Sequence, residues 1–230
     1  MTFSIAAVDP ETGAVGAAVA SVFPSVGAVC PWVSEHGAVL SQAWDSGPSY
    51  GKPALSMLAD GIAIDDVAEV LVENRPGGAG TQFHGVTADG ATTAYTGRKA
   101  TDWAGHREGE THTVAGNTLV GETVPEAMSE AFGEGSGPLT GRLLSALEAG
   151  ERAGGDKRGD NLSAALLVHA PEPKLYHNIR VDQPGDPIEG LRDAYETGRA
   201  YYESSDDGDP VAEVWGEEYD PAIADFNVRY

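Results

Sequence analysis

Three hydroxyl side chains stand close together at the start of the chain. Thr2 and Ser4 are two residues apart, which puts them on the same side of an extended strand. Ser21 closes the next run, and the stretch from Thr2 to Ser21 reads TFSIAAVDPETGAVGAAVAS. Its middle, Asp9-Pro10-Glu11-Thr12-Gly13, is turn chemistry, with Pro presetting φ and Gly supplying a positive φ. The spacing therefore predicts a hairpin with Thr2 opposite Ser21. Ser4 reads as a supporting hydroxyl or as a polar strand residue, and Ser21 as a hydrogen-bond partner of Thr2 or as a strand-end serine.

Other residues could complete a site around these hydroxyls. Asn117, in Gly116-Asn117-Thr118, could donate an amide N–H to an oxyanion or support a turn. Asp156, Lys157 and Arg158 sit between Gly154-Gly155 and Gly159, a composition that suits a shaped, ordered loop. Asp156 and Arg158 could also simply pair and hold that loop. Gln42 and Trp44 end a predicted strand and could line a pocket. His106, in Asp102-Trp103-Ala104-Gly105-His106, reads as a catalytic or substrate-contacting group or as a structural hydrogen-bonder beside the Trp. His84, His106 and His112 lack the spacing of a zinc site, so no metal is expected. Gly77-Gly78-Ala79-Gly80 lacks the Gly-Lys-Ser/Thr ending of a phosphate loop, and no dinucleotide fingerprint follows the first strand. No cofactor is expected.

These residues need elements to hold them. After the hairpin, Ala28 to Trp32 and Gly37 to Trp44 read as two more strands, extending it into a four-stranded meander. Asp45 to Gly51 is a loop, Pro53 opens a helix to about Leu58, and a second helix runs from about Ile64 to Glu73 with Val67, Val70 and Leu71 on its apolar face. Phe83–Thr87 and Ala91–Thr96 are strands joined by a turn containing Asp89-Gly90. Val114–Gly121 is a strand running into a loop. Thr123 to Glu126 has the pattern of a capping box opening a helix to about Phe132. A further helix runs from Pro138 to about Ala149 on Leu139, Leu143, Leu144 and Leu147, and a loop from Gly150 to Asp160 follows. Ser163–His169 and Leu175–Val181 are strands. Asp186 caps a last helix, with Ile188, Leu191 and Tyr195 facing inward, ending near Tyr202. Strands and helices come in blocks, which argues for an α+β fold with two antiparallel sheets face to face and helices outside. Residues 1–202 are expected to form one domain, and residues 203–230 an acidic C-terminal extension.

Composition limits the partners. There are 36 acidic residues against 14 basic, a net charge of −22, so phosphate backbones and anionic membranes are repelled and neither nucleic acid nor membrane is expected as a partner. The simplest reading of that charge is solubility in high salt; the alternative is a functional acidic surface. No apolar run reaches the ~18 residues of a membrane span, and no basic-then-apolar leader opens the chain. Cys30 is the single cysteine, which excludes an intrachain disulfide. A cytoplasmic protein is expected.

Taken together, TFSIAAVDPETGAVGAAVAS, FPSVGAVCPW, SQAW, SYG, DWAGH, GNTLVG and AGGDKRG followed by SAALLV resemble a large prokaryotic family of unknown function grouped with the N-terminal nucleophile (Ntn) hydrolases. The resemblance spans roughly residues 1–195, with the motifs in the family's order. It implies a four-layer αββα sandwich. It also implies a mechanism: removal of Met1 would make Thr2 the first residue, its hydroxyl the nucleophile on an amide carbonyl and its own α-amine, with a pKa of ~7.7–8.0, the base. Asp156 would orient that amine. Many members carry Lys directly after the serine corresponding to Ser21; Val22 stands here, so lysine tuning as in the proteasome is not expected.

The expected activity is hydrolysis of a small-molecule amide or lactam, with Thr2, Asn117, Asp156 and Ser21 as catalytic candidates and Ser4, Gln42, Trp44, His106 and Arg158 as substrate contacts. The alternatives are a non-catalytic sandwich that binds a ligand or builds an assembly, and hydrolysis by internal residues such as Ser21 with His106. Sandwiches of this Ala/Gly-rich type self-associate, so a homo-oligomer is expected.

Overall fold

A computed structural model describes residues 2–44, 48–73, 75, 77–100, 102–182 and 185–204. Met1, the first three residues of the predicted 45–51 loop and the acidic extension beyond residue 204 lie outside the described residues.

The hairpin is the centre of the molecule. Strand β1 (Thr2–Asp9) pairs with β2 (Ala14–Ser21) in the register Thr2↔Ser21 to Asp9↔Ala14. The Asp9 carboxylate fixes the turn by accepting the Glu11 N–H at 3.1 Å and the Thr12 hydroxyl at 2.8 Å, and Gly13 takes φ +72°. The remaining strands are β3 (Pro31–Ser34), β4 (Gly37–Ala43), β5 (Thr81–Thr87), β6 (Thr92–Thr96), β7 (Trp103–Glu108), β8 (His112–Leu119), β9 (Ser163–His169) and β10 (Asn178–Val181). The helices are α1 (Pro48–Ala59), α2 (Ile64–Ala68) with a π-helical turn Glu69–Glu73, α3 (Thr123–Glu134), α4 (Leu139–Arg152) and α5 (Pro187–Ser204).

The strands form two sheets, one ordered β10-β9-β2-β1-β8-β7 and one ordered β3-β4-β5-β6. Every pairing is antiparallel. The fold is thus mixed α+β with two antiparallel sheets. Three apolar clusters show how they stack. Phe3, Ile5 and Ala18 pack against Met128, Phe132, Leu143, Leu147 and Leu191 on α3, α4 and α5. Ala6, Val8, Val15, Ala17 and Val19 meet Leu40 and Val86 of the second sheet. Val39 and Phe83 pack on Tyr50, Ala54, Val67 and Val72 of the α1–α2 region. The small residues of β2 have a steric cause: a Cβ on Gly16 would come within 2.8 Å of Val168 and 2.9 Å of Leu143.

Several expectations are corrected. The four-stranded meander is interrupted, because β3 and β4 belong to the other sheet. Facing sheets lie about 10 Å apart, and the chain crosses through Ser25 at φ +59° and a 3-10 turn at Val26–Ala28. Ser163 fixes that crossing, its hydroxyl accepting the Val26 N–H and donating to the Phe23 carbonyl. Helix α1 starts five residues before Pro53, which lies inside it. Pro53 offers no N–H to the Ser49 carbonyl, and Arg75 donates there at 3.3 Å. Val70 is exposed while Leu71 and Val72 are both buried, because the π-helical turn changes the phase of the apolar face.

The capping box at Thr123 does not form. Glu122 takes the N-cap position, and the Glu126 carboxylate pairs with Arg107. Strand β7 had no sequence signal, since it is a half-exposed edge strand without alternating apolar residues. Helix α4 runs on to Arg152 into the predicted loop, and Leu175–His177 is a 3-10 turn ahead of β10. Asp186 caps α5 as expected, its Oδ1 accepting the Ile188 and Glu189 N–H groups at 3.2 and 2.9 Å. Among the described residues no helix is long and apolar enough to cross a membrane.

Candidate active site

Thr2 begins the central strand with Ser21 on one side and Asn117 on the other, each its direct partner in the neighbouring strand. It is 7% exposed, and its Oγ1 lies 3.2 Å from the Ser21 Oγ, which also accepts the Phe23 N–H at 3.0 Å. Thr2 and Ser4 share their face of β1 with Ala6 and Val8, so both point between the sheets.

The inter-sheet layer is apolar around Ala6 and Val8 but polar near Thr2. Gln82 on β5 reaches across to the first sheet and donates its Nε2 to the backbone carbonyls of Gly116 at 2.8 Å and Gly105 at 3.1 Å, and to the Thr96 hydroxyl at 3.0 Å. Its Oε1 accepts from Asn117 Nδ2 at 2.9 Å and Gln42 Nε2 at 3.1 Å. Gln42 Oε1 accepts from the Ser4 hydroxyl at 2.7 Å and from the Cys30 thiol at 3.6 Å. His84 Nε2 lies 2.8 Å from Ser4 Oγ, and its Nδ1 lies 2.9 Å from Thr113 Oγ1.

One polarity runs through this network. Backbone carbonyls only accept, so Gln82 must turn its NH2 to them and its oxygen to Gln42 and Asn117. Gln42 then presents its own oxygen to Ser4, whose single proton is committed there. His84 must donate to Ser4 through Nε2–H and accept from Thr113 at Nδ1. Burial, helped by repulsion from His106, lowers the His84 pKa to about 3, so the ring is neutral. Ser4 and His84 are therefore not arranged as nucleophile and base. Asn117 keeps one of its two N–H bonds for other use. Burial also pushes the Cys30 thiol pKa up, which leaves it an unreactive thiol.

Asp156 completes this end of the sheet. It forms a β-bridge with Leu119, two residues beyond Asn117 on β8, while β7 occupies the other edge of β8. Asp156 thus stands on the β1 side of β8, just beyond the Thr2↔Asn117 pair and past Thr118, whose backbone is left-handed at φ +57°. Its side chain is 0% exposed. Oδ1 accepts the Arg158 N–H at 2.6 Å and lies 3.5 Å from the Arg158 Nε, whereas Oδ2 is buried without a partner. Lys157 pairs with Asp102 at 2.8 Å, tying this loop to the one before β7.

The structure brings Thr2, Ser21, Ser4, Gln42 and Asn117 into one contiguous group, with Asp156 and Arg158 at its edge. His106 is exposed on β7 and is joined to the group by a hydrogen bond through Thr96, its Nδ1 lying 2.9 Å from Thr96 Oγ1. Trp44 lies outside the buried network and is 75% exposed. Gln82, His84 and Thr113 were not anticipated. Their signal was alternation, since Gln82, His84 and Val86 share one face of a strand that must be buried. Among the described residues no three His, Cys, Asp or Glu side chains are grouped to hold a metal ion.

Residues 2–191 match the model of a family described as a family of unknown function, DUF1028. The chain belongs to this family. It is similar to a protein from Silicibacter pomeroyi of the same family, known from its crystal structure. The two are 33% identical, with a TM-score of 0.80 over 89% of this chain and 87% of the other. No curated protein matches the chain.

Proposed function

We propose that this DUF1028 member is an N-terminal nucleophile hydrolase of small amides or lactams, with Thr2 as the first residue of the mature chain. The observation that carries the reading is the unpartnered, fully buried Asp156 Oδ2 on the β1 side of β8. An isolated buried carboxylate oxygen is costly. The α-ammonium created by loss of Met1 would form on the same side of β8, at Thr2. The layering of helices outside two facing sheets suits the same mechanism, since it closes the nucleophile's strand on both sides.

In the proposed reaction the neutral α-amine takes the Thr2 hydroxyl proton as Oγ1 attacks the carbonyl carbon. The free N–H of Asn117 receives the oxyanion. The C–N bond breaks as the α-ammonium returns the proton to the leaving amine. Water, deprotonated by the α-amine, then attacks the Thr2 ester and releases the acid. Ser21 holds the Thr2 hydroxyl, and Asp156 positions the amine. Gln42, Gln82, Ser4 and His84 brace Asn117 and the strand.

Thr2→Ala should abolish hydrolysis of an amide that the wild type turns over, and Thr2→Ser should retain part of it. Asn117→Ala should slow the reaction by ~100- to 1,000-fold, the usual loss for one oxyanion donor. Full activity in Thr2→Ala would end this reading.

A further inference from the structure

The 3-10 turn Gly78–Gly80 leading into β5 is clasped from two sides. The Trp44 N–H donates to the Gly80 carbonyl at 3.2 Å, and the Lys99 N–H donates to the Ala79 carbonyl at 2.6 Å. The packing is tight enough that a Cβ on Gly97 would collide with the carbonyls of Gly78 and Ala79. The backbones of Trp44 and of the Arg98-Lys99 pair are therefore fastened to the same short turn. Trp44 leaves most of its indole in solvent. Arg98 and Lys99 are exposed, and among the described residues neither is in an ion pair. Arg107, Lys157, Arg158, Arg180, Arg192 and Arg199 have acidic partners; of the other described cations outside ion pairs, Arg75, Arg142 and Lys174 lie over aromatic rings and Lys52 stands alone in sequence, whereas Arg98 and Lys99 are adjacent.

This platform lies at the Thr2 end. Thr96, two residues before Arg98, shares Gln82 with Asn117, and Lys157–Asp102 ties the segment just before β7 to the loop of Asp156. Facing sheets are separated by about 10 Å, a span that a small amide and an Arg or Lys side chain cover together. The protein's field repels anions, so unpaired cations beside the site create a local exception to it.

We propose that Arg98 and Lys99 seat a carboxylate of the substrate while Trp44 covers its apolar part, so that the amide cleaved is an anionic one of the N-acyl amino acid class. This rests on the Thr2 reading for its chemistry but not for its binding. Calorimetric titration of Thr2→Ala with N-benzoylglycine and with its neutral amide, N-benzoylglycinamide, separates the two. The acid should bind at least about tenfold more tightly, the range of a charge-assisted contact. Arg98→Ala/Lys99→Ala should erase that preference without weakening the neutral probe, and Trp44→Ala should weaken both. Equal affinities, no binding of either, or a preference that survives the double substitution would overturn the proposal. The same acid preference in the KM of the wild type would confirm it independently of Thr2→Ala folding. Acid-selective binding with equal turnover in wild type and Thr2→Ala would remove Thr2 as nucleophile and leave the anion seat standing.

Discussion

Replacing Gln82 by Leu removes the junction of the buried polar layer at nearly constant volume. Five hydrogen bonds end on this side chain. Thr96 and Gly105 are only partly buried, so water can replace Gln82 there. The Gly116 carbonyl lies in a strand flanked by β1 and β7 and is served by the ladder. The cost therefore falls on the Asn117 and Gln42 N–H groups, both buried and both left without an acceptor. At about 1–3 kcal/mol for each orphaned donor, Gln82→Leu should lose about 2–6 kcal/mol. That is a large part of the 5–15 kcal/mol typical of a domain. Urea denaturation followed by circular dichroism reads this as a lower midpoint at unchanged slope. The exposed Val70 gives a control, since Val70→Ala should shift the midpoint little. A Gln82→Leu loss below about 1 kcal/mol would refute the single-polarity network.

His84 gives a pH test. Its folded pKa is depressed to about 3 from 6.5, so below pH 6.5 the unfolded chain binds a proton that the folded chain refuses. His84 should contribute a fall of about 1.4 kcal/mol per unit as pH drops from 6.5 toward 5, on top of the falls from His112 and His177, whose pKa values burial also lowers; His84→Gln should make the slope shallower by about that amount, and an unchanged slope would contradict it. The acidic charge predicts a melting temperature that rises with salt as the Debye length shrinks from ~10 Å at 0.1 M to ~3 Å at 1 M, and a salt-independent melt would contradict it. Truncation after Tyr202, which keeps the Tyr176–Tyr202 contact, should preserve cooperative unfolding. Loss of cooperativity would make the C-terminal extension part of the domain.

The parts of the fold legible in the sequence were those governed by local rules. The hairpin register followed from a turn and two runs of equal length, and the α5 cap from Asp186. Sheet membership was not legible, because pairing of β3 with β4 away from β2 depends on a crossing that a buried Ser163 stabilises from far along the chain. The site was half legible. Thr2, Ser21 and Asn117 were identifiable as strand-end polar residues. Gln82 was lost because β5 begins at Thr81 and not at Phe83, which hid the alternation of Gln82 with His84. Asp156 was visible as a charged residue among glycines, but its unpartnered oxygen on the β1 side of β8 is a tertiary fact.

The central claim requires that Thr2 carry a free α-amine. The intact mass of the purified protein tests this directly. A chain lighter by one methionine residue, with Thr2 as its first residue in N-terminal sequencing, is the predicted result. A chain that retains Met1 would lock that amine in a peptide bond and contradict the account.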